Sequence, residues 1–395
     1  MIVLVLNCGS SSIKYKLYNM DDESVLAQGG AERIGLDNAF VKVTLKDGSK
    51  EKVMHDMPDH KEGVKFVFSL LLDPKYGALK SLDQIDAVGH RIVQGGDLFE
   101  KSCIVTKEVE DGIESLCDLA PVHNAGHLRG IRAVDALMPH TPQVTVFDNA
   151  FHSTMPAYAY LYAVPYELYE KYHVRRYGFH GTSHRYVSGR IGELMGGQPH
   201  RLITCHLGNG SSLAAIRDGR VVDTSMGFTP LDGLMMGTRC GSIDPSIVSY
   251  IANLENLHES EMSHLLNGES GLLGVSGVSS DFRDVLEAAE NGNKRAQLAA
   301  DMLEYQIVKL IGSYAAALGG VDAILFTGGI GENAVDLREQ VIRDLAYLGV
   351  TPDSEANRSR GEEVRISGPD SKVQVWVVPT NEEIMIARDT ATFVQ

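Results

Sequence analysis

The chain has 395 residues, with 36 basic and 52 acidic side chains and a net charge of −16 when histidine is neutral. That balance excludes general attraction to nucleic acid or to an anionic membrane, so an anionic ligand must be held by local cations and backbone amides. A hydrophobic content of 44% and a charged content of 22% are ordinary for a globular protein with a sizeable core, and the length predicts two domains, or at most three.

The N-terminal run MIVLVLNCGSSSIKY has no basic leader and no small-residue cleavage site, and it reads as a first strand rather than a signal peptide. No apolar stretch approaches the roughly 18 residues that a membrane span requires. The five cysteines, Cys8, Cys103, Cys117, Cys205 and Cys240, are odd in number and form no CxxC pair. They predict a reduced chain in the cytoplasm, with the thiols as small buried residues.

Taken in chain order, residues 2–6 and 13–18 read as strands of a hairpin around the turn Asn7-Cys8-Gly9-Ser10-Ser11-Ser12. Val64, Val67, Phe68, Leu71 and Leu72 mark a helix closed by Asp73-Pro74. Residues 202–207 and 213–216 repeat the hairpin around Gly208-Asn209-Gly210-Ser211-Ser212, and Asp218-Gly219 makes the next tight turn. Leu303, Ile307, Leu310, Ile311, Tyr314 and Leu318 give one apolar helical face, stopped at Gly319-Gly320. A buried strand over 322–326 then runs into a glycine-rich turn over 327–333. The two hairpins share a Gly-Ser-Ser core, a nearby asparagine and the same strand environment, which points to an internal duplication with a boundary near residue 150.

Glycine lets backbone N–H groups approach closely and serine adds hydroxyl donors, so turns of this composition at strand ends suit phosphate oxygens. The segments 7–12, 206–212 and 328–333 all fit. The Walker pattern GxxxxGK(S/T) and the protein-kinase HRD and DFG motifs are absent. His180 and His184 are four apart, as are His123 and His127, but no third zinc ligand stands out and Gly181 weakens a helix there. Thr380 and Glu383 have capping-box spacing before Ile384-Met385-Ile386, which predicts that Thr380 opens a helix.

Nine segments together resemble the acetate kinase family, within the acetate and sugar kinase, heat-shock chaperone and actin superfamily. They are NCGSSSIKY (7–15), GHRIVQGG (89–96), FDNAFHSTMP (147–156), RRYGFHGTSH (175–184), HLGNGSS (206–212), DTSMGFTPLDGLMMGTRCGSIDP (223–245), SSDFRDV (279–285), FTGGIGEN (326–333) and PTNEE (379–383). The resemblance implies an α/β, duplicated RNase H-like (actin-like ATPase) fold, with two mixed-sheet domains flanking a central cleft. The first covers 1–150 and is completed by a C-terminal helix at about 384–395; the second covers 151–383 and carries most of the nucleotide site. The family pattern has proline where Val122-His123-Asn124 is followed by Ala125, a loss that predicts a looser loop.

The same resemblance implies site roles. Arg91 holds an anionic acceptor, His180 and Arg239 stabilise the transferring phosphoryl group, and Asp148 orients a group or handles a proton. Val93, Val122, Phe179 and Pro230 line a small apolar pocket. Lys14, the segment His206, Leu207, Gly208, Asn209 and Gly210, the segment Asp281, Phe282 and Arg283, and the segment Gly329, Ile330, Gly331, Glu332 and Asn333 contact ATP. Asn7 and one of Glu382 and Glu383 serve Mg²⁺, for which Mn²⁺ can substitute. The capping-box spacing gives Glu383 a structural task and leaves Glu382 to the metal. The implied reaction is reversible transfer of the ATP γ-phosphoryl to acetate, giving ADP and acetyl phosphate, in a cytoplasmic homodimer that binds neither nucleic acid nor membrane. A propionate or butyrate kinase of the same fold is the nearest alternative, since one methylene is worth only about 1–3 kcal/mol in such a pocket. A nucleotide-gated chaperone or filament protein is more distant, because no segment is left over for polypeptide or polymer contacts.

Overall fold

Strand β1 (Ile2–Cys8) buries Val3 through Leu6 and pairs antiparallel with β2 (Ser12–Asn19) in a register that sets Asn7 opposite Lys14. The Gly9 N–H closes the turn by donating to the Ser12 carbonyl at 2.8 Å. The structure is a computed structural model that describes residues 1–394, and every side chain among them except those at 121 and 122. It comprises two compact units, Met1–Ala150 with the residues from Asn381 onward, and Phe151–Thr380.

In the first unit, β3 (Ser24–Glu32), β4 (Phe40–Thr44) and β5 (Lys50–Met54) extend the hairpin antiparallel on one side. On the other side lie β6 (Ala87–Ile92), β7 (Cys103–Ile104) and β8 (Gln143–Phe147), giving the order β5-β4-β3-β2-β1-β6-β8-β7. β1, β6 and β8 run parallel, and β8 is buried along its whole length, as a strand covered on both faces must be. The helix His60–Leu72 is capped by Asp59, whose carboxylate accepts from the Glu62 N–H, and packs Val64, Val67, Phe68 and Leu71 on the sheet. Leu72, expected on that face, is solvent-exposed.

The second unit contains β9 (Arg201–Leu207), β10 (Ser211–Arg217), β11 (Arg220–Thr224), β12 (Ala323–Thr327), β13 (Val364–Arg365) and β14 (Gln374–Val377) in the order β11-β10-β9-β12-β14-β13. Three antiparallel strands, two further parallel strands and a short antiparallel edge repeat the arrangement of the first unit from β3 to β7. The duplication visible in the two hairpins therefore extends through both sheets. The helix Lys294–Leu318 lays Leu303, Ile307, Ile311, Tyr314 and Leu318 into the core and ends at Gly319, whose φ of 70° only glycine adopts freely. Among the described residues, no helix is long and apolar enough to cross a membrane.

Three local expectations are corrected. Residues 122–125 are not a loop, because the helix Pro121–Leu137 begins ahead of them, and there alanine favours the helix that an internal proline would oppose. Residues 328–333 are not a turn but a short helix, Gly328–Asn333, directly after β12. The last helix runs Glu382–Thr392, so it starts two residues earlier and stops sooner than expected, with residue 395 outside the described residues. Glu382 and Glu383 thereby belong with the first unit.

That last helix crosses β6 at Gly89. A Cβ there would meet the Thr390 hydroxyl and lie 2.8 Å from Ile386 Cγ2. Gly89→Ala is expected to destabilise the first unit by about 1–3 kcal/mol through overpacking, read as a lower thermal midpoint. An unchanged midpoint would show that the helix moves away from β6 without cost.

Candidate active site

In the first unit, Asn7, Lys14, Arg91 and Glu382 line one cavity of about 650 Å³. Hairpin register brings Asn7 beside Lys14, and parallel pairing of β1 with β6 carries Arg91 to the same end of the sheet. Arg91 donates from Nε to both Asp148 oxygens at 3.0 and 3.1 Å, and from Nη2 to Oδ2 at 2.7 Å. Asp148 is only 2% exposed, against 24% for Arg91, so the carboxylate is the buried anchor and the guanidinium is the face shown to the cavity. Burial opposes the charge on Arg91, but Asp148, Glu382 and Glu383 outweigh it and hold the guanidinium above its ordinary range. Both Asp148 oxygens accept from Arg91, so the carboxylate fixes the orientation of the guanidinium.

Glu382 differs from Asp148. It forms no hydrogen bond or ion pair with the described residues. Burial raises its carboxyl above the ordinary value; Arg91 pulls the other way, and Asp148 and Glu383 add repulsion. The Asn7 side chain likewise has no hydrogen-bond partner among the described residues. Two unpartnered oxygen donors in one cavity, one anionic and one neutral, fit a hard divalent cation that keeps most of its water. Among the described residues, no cluster of three His, Cys, Asp or Glu side chains forms a fuller protein cage.

The basis for assigning Glu383 is overturned. Thr380 does not cap the last helix; Asn381 does, its Oδ1 accepting from the Ile384 N–H at 3.2 Å. Thr380 Oγ1 instead lies 2.7 Å from Ser183 Oγ, and Glu383 pairs with Lys16 at 3.6 Å. An asparagine one position later supplies the same acceptor, so spacing alone misplaced the helix start.

The loop after β6 is clamped by Asn124, Asn149 and His127, none of which the sequence assigned to the site. Asn124 accepts from the Gln94 N–H and donates to the Gln94 carbonyl, at 3.3 and 2.9 Å. Asn149 does the same for Gly95 and Gly96, each at 2.8 Å, while the Val93 N–H donates to His127 Nε2 at 3.2 Å. Burial drives His127 down to about 3, so it stays a neutral acceptor. Val93 is held buried beneath this clamp, and the side chain of Val122 lies outside the described ones.

The second unit gathers its glycine-rich segments at the ends of β9 and β12. A Cβ on Gly328 would lie 2.6 Å from the Leu207 carbonyl, and one on Gly237 would collide with the Asn209 side chain and lie 2.9 Å from the Ser280 carbonyl. Segment 206–210 thus meets both 328–333 and 237–239, and 237–239 meets 279–283, at distances only glycine permits. Glu332 turns inward and accepts from the Gly328 and Thr380 N–H groups at 2.9 and 3.1 Å. Arg338, with no exposed surface, donates to the Gly331 carbonyl at 2.9 Å and to residues 357 and 359. Phe282 is a core residue, and Asp281 caps the following helix while pairing with exposed Arg283 at 2.6 Å.

Gly210 is the focus of the charged groups. Its absent Cβ would lie 3.4 Å from Arg239 Nη1 and 3.5 Å from His180 Nε2. Among the described residues no carboxylate pairs with Arg239; its one oxygen contact is the Pro230 carbonyl at 3.4 Å, and burial lowers its pKa from the ordinary value. His180 sits at the start of the helix Gly181–Met195 with φ of 57°, a left-handed conformation that costs about 1–3 kcal/mol and concentrates at functional sites. Its ring stacks on His206 at 4.2 Å. Phe179, just before it, is buried, and its carbonyl accepts from His152 Nε2 at 2.9 Å.

Comparison with known proteins agrees with this arrangement. The model of the acetokinase family matches residues 2–388. The acetate kinase of Bacteroides thetaiotaomicron is 57% identical over 393 residues, 99% of this chain and 98% of that one. The crystal structure of Porphyromonas gingivalis acetate kinase superposes with a TM-score of 0.97 at 52% identity, covering 100% of both chains. That of a propionate kinase from Francisella tularensis gives 0.92 at 42% identity, covering 99% of both. With the family model matched over nearly the whole length and relatives more than half identical, the chain belongs to the acetokinase family.

Proposed function

We propose that the protein transfers the γ-phosphoryl group of ATP reversibly to acetate, giving acetyl phosphate and ADP, by direct in-line displacement. An acetate oxygen bonds to the γ-phosphorus as the bond to the bridging β,γ-oxygen breaks, and that oxygen leaves with ADP. The acceptor is already ionised at neutral pH, so no general base is needed. The observation that carries the reading is Arg239, a part-buried cation with no carboxylate partner among the described residues, which converges with His180 Nε2 on Gly210. Such a pair suits charge on equatorial phosphoryl oxygens. Arg91, steadied by Asp148, takes the acceptor carboxylate, and the glycine-rich segments of the second unit take ATP. Asn7 and Glu382 hold the Mg²⁺, which neutralises phosphate charge when bound.

The proposal includes a homodimer in the cytoplasm. The helix Pro245–Glu255 buries none of its residues, yet it carries Ile247, Tyr250 and Leu254 at 40, 65 and 65% exposure. An apolar helix face left uncovered in this way suits an isologous contact with a second copy. The five free cysteines are compatible with a reducing compartment.

Hydroxylamine trapping of acyl phosphate, with acetate, propionate and butyrate in turn, tests the reaction. Acetate is expected to give the highest kcat/KM, and no acyl phosphate from any of the three would reject the reading. Arg239→Ala is expected to lower kcat by about 10²–10³ with much smaller changes in KM; an intact kcat with raised KM would make Arg239 a ground-state binder.

The two adjacent glutamates are separable. A carboxyl raised by burial disfavours the folded state at any pH above its ordinary value, where the unfolded chain would have released the proton. Glu382→Gln is therefore expected to raise the thermal midpoint at pH 7, with the gain closing as pH falls into the ordinary carboxylate range, and to raise the Mg²⁺ concentration needed for half-maximal rate. Glu383→Gln loses only a part-exposed pair with Lys16, about 0–1 kcal/mol. The opposite pattern in melting curves and Mg²⁺ titrations would transfer the metal to Glu383.

Tyr250→Glu is expected to halve the mass measured by light scattering. A mass equal to that of the unaltered protein would place the dimer contact elsewhere.

A further inference from the structure

His180 Nδ1 lies 2.9 Å from Ser212 Oγ. The same hydroxyl is 2.8 Å from Nε2 of His184, one helical turn further on, and His184 Nδ1 is 2.7 Å from Thr204 Oγ1. Ser212, His184 and Thr204 have no exposed surface. Burial holds His184 well below its ordinary pKa, with His152 and His206 adding to the effect. It is thus neutral, with one N–H and one lone pair.

Linked head to tail, three hydrogen bonds through four side chains run in one of two directions; the third arrangement, in which both rings donate to Ser212, would orphan the Ser212 proton. If His180 donated from Nδ1, then Ser212 would donate to His184 and His184 to Thr204. The Thr204 proton would then be buried without an acceptor, because its only side-chain hydrogen bond among the described residues is to His184. A buried donor left orphaned is rarer and costlier than an acceptor with a spare lone pair. Thr204 therefore donates to His184 Nδ1, His184 donates from Nε2 to Ser212, and Ser212 donates to His180 Nδ1.

We propose that Thr204, His184 and Ser212 form a one-way hydrogen-bond relay that holds His180 as its neutral Nε2–H tautomer, with that N–H presented to the transferred phosphoryl group. Ser212 and His184 are positioning residues in this scheme. It rests on the reading of the site as a phosphoryl-transfer centre. A proton added at His180 Nδ1 would make that nitrogen a donor, and Ser212, already accepting from His184, would lose the acceptor for its own hydrogen. The relay thus opposes an imidazolium beside Arg239. The other groups facing the relay are the His206 ring, stacked on His180 and itself 2.7 Å from Ser183 Oγ, and the His152 ring, edge-on to His184 at 5.7 Å.

The test follows kcat for acetyl phosphate formation between pH 6 and 8 in the full-length protein and in Ser212→Ala and Ser212→Thr. Without the hydroxyl, His180 Nδ1 takes a proton more readily, and the imidazolium still donates from Nε2. The ratio of Ser212→Ala to unaltered kcat is expected near one tenth at pH 8, the loss of about one hydrogen bond. It is expected to rise severalfold toward pH 6, with KM for acetate and ATP changing less than kcat. Ser212→Thr keeps the hydroxyl and is expected to hold a flat ratio. A constant ratio for Ser212→Ala, or the same defect in Ser212→Thr, would overturn the relay while leaving the kinase reading intact; inactivity of the unaltered protein would overturn that reading instead. Nitrogen-15 spectra of the histidines, with His180 assigned by its replacement, give a second readout that needs no Ser212 variant. A protonated Nε2 and bare Nδ1 are expected, and a protonated Nδ1 would refute the proposal.

Discussion

Uncompensated positive charge, half-buried in a chain of net charge −16, is the constraint around which the second unit is built. Arg239 has no acidic partner among the described residues and only a long contact to the Pro230 carbonyl. A guanidinium stripped of water and left without a carboxylate is costly, and replacing it with an apolar side chain would relieve that cost. Its retention beside Gly210 makes sense for a site that receives an anion. Arg91 represents the other solution. Three hydrogen bonds that it donates to a buried Asp148 fix its orientation, and its charge is held in place without being fully neutralised.

The glycine-rich strand ends follow from the same requirement. Phosphate oxygens need several donors converging from different segments, and backbone N–H groups converge only where side chains are missing. At Gly328 against Leu207, and at Gly237 against Asn209, even one methyl group has no room. Glu332 and Arg338 then hold the helix Gly328–Asn333 from behind, through N–H groups and a carbonyl. Glycine supplies close approach but no rigidity, so these buried polar side chains supply it.

Costs of this kind fall on residues of the proposed site and on those that support it. His180 takes a left-handed backbone, Glu382 is a desolvated carboxyl, and Arg338 is a buried guanidinium bonded to amide oxygens and carbonyls alone. The apolar cores lie beneath the two sheets. Their β-branched and leucine side chains fill strands and helix faces in the pattern expected for doubly covered sheets.

The amino-acid sequence by itself determined the two hairpins, the helical faces over 64–71 and 303–318, the duplication and the family. Each of these follows from alternation, helical periodicity or glycine placement within a few residues of chain, or from nine motifs in order. What only the tertiary structure decided depends on pairs far apart in sequence. The Asp148 carboxylate is matched to Arg91 by the pairing of β6 with β8, which no spacing encodes. Asn124, Asn149 and His127 are ordinary polar residues until the loop over 93–96 folds between them. The His180–His184 spacing invited a metal reading, and only the strands bearing Thr204 and Ser212 show that both rings are committed to hydroxyls. The helix start at 382 went to Asn381 rather than Thr380 because the Thr380 hydroxyl is held by Ser183, almost two hundred residues away in the chain. Local periodicity reports what one element buries, whereas partner choice depends on which distant elements arrive beside it, and that is a property of the fold.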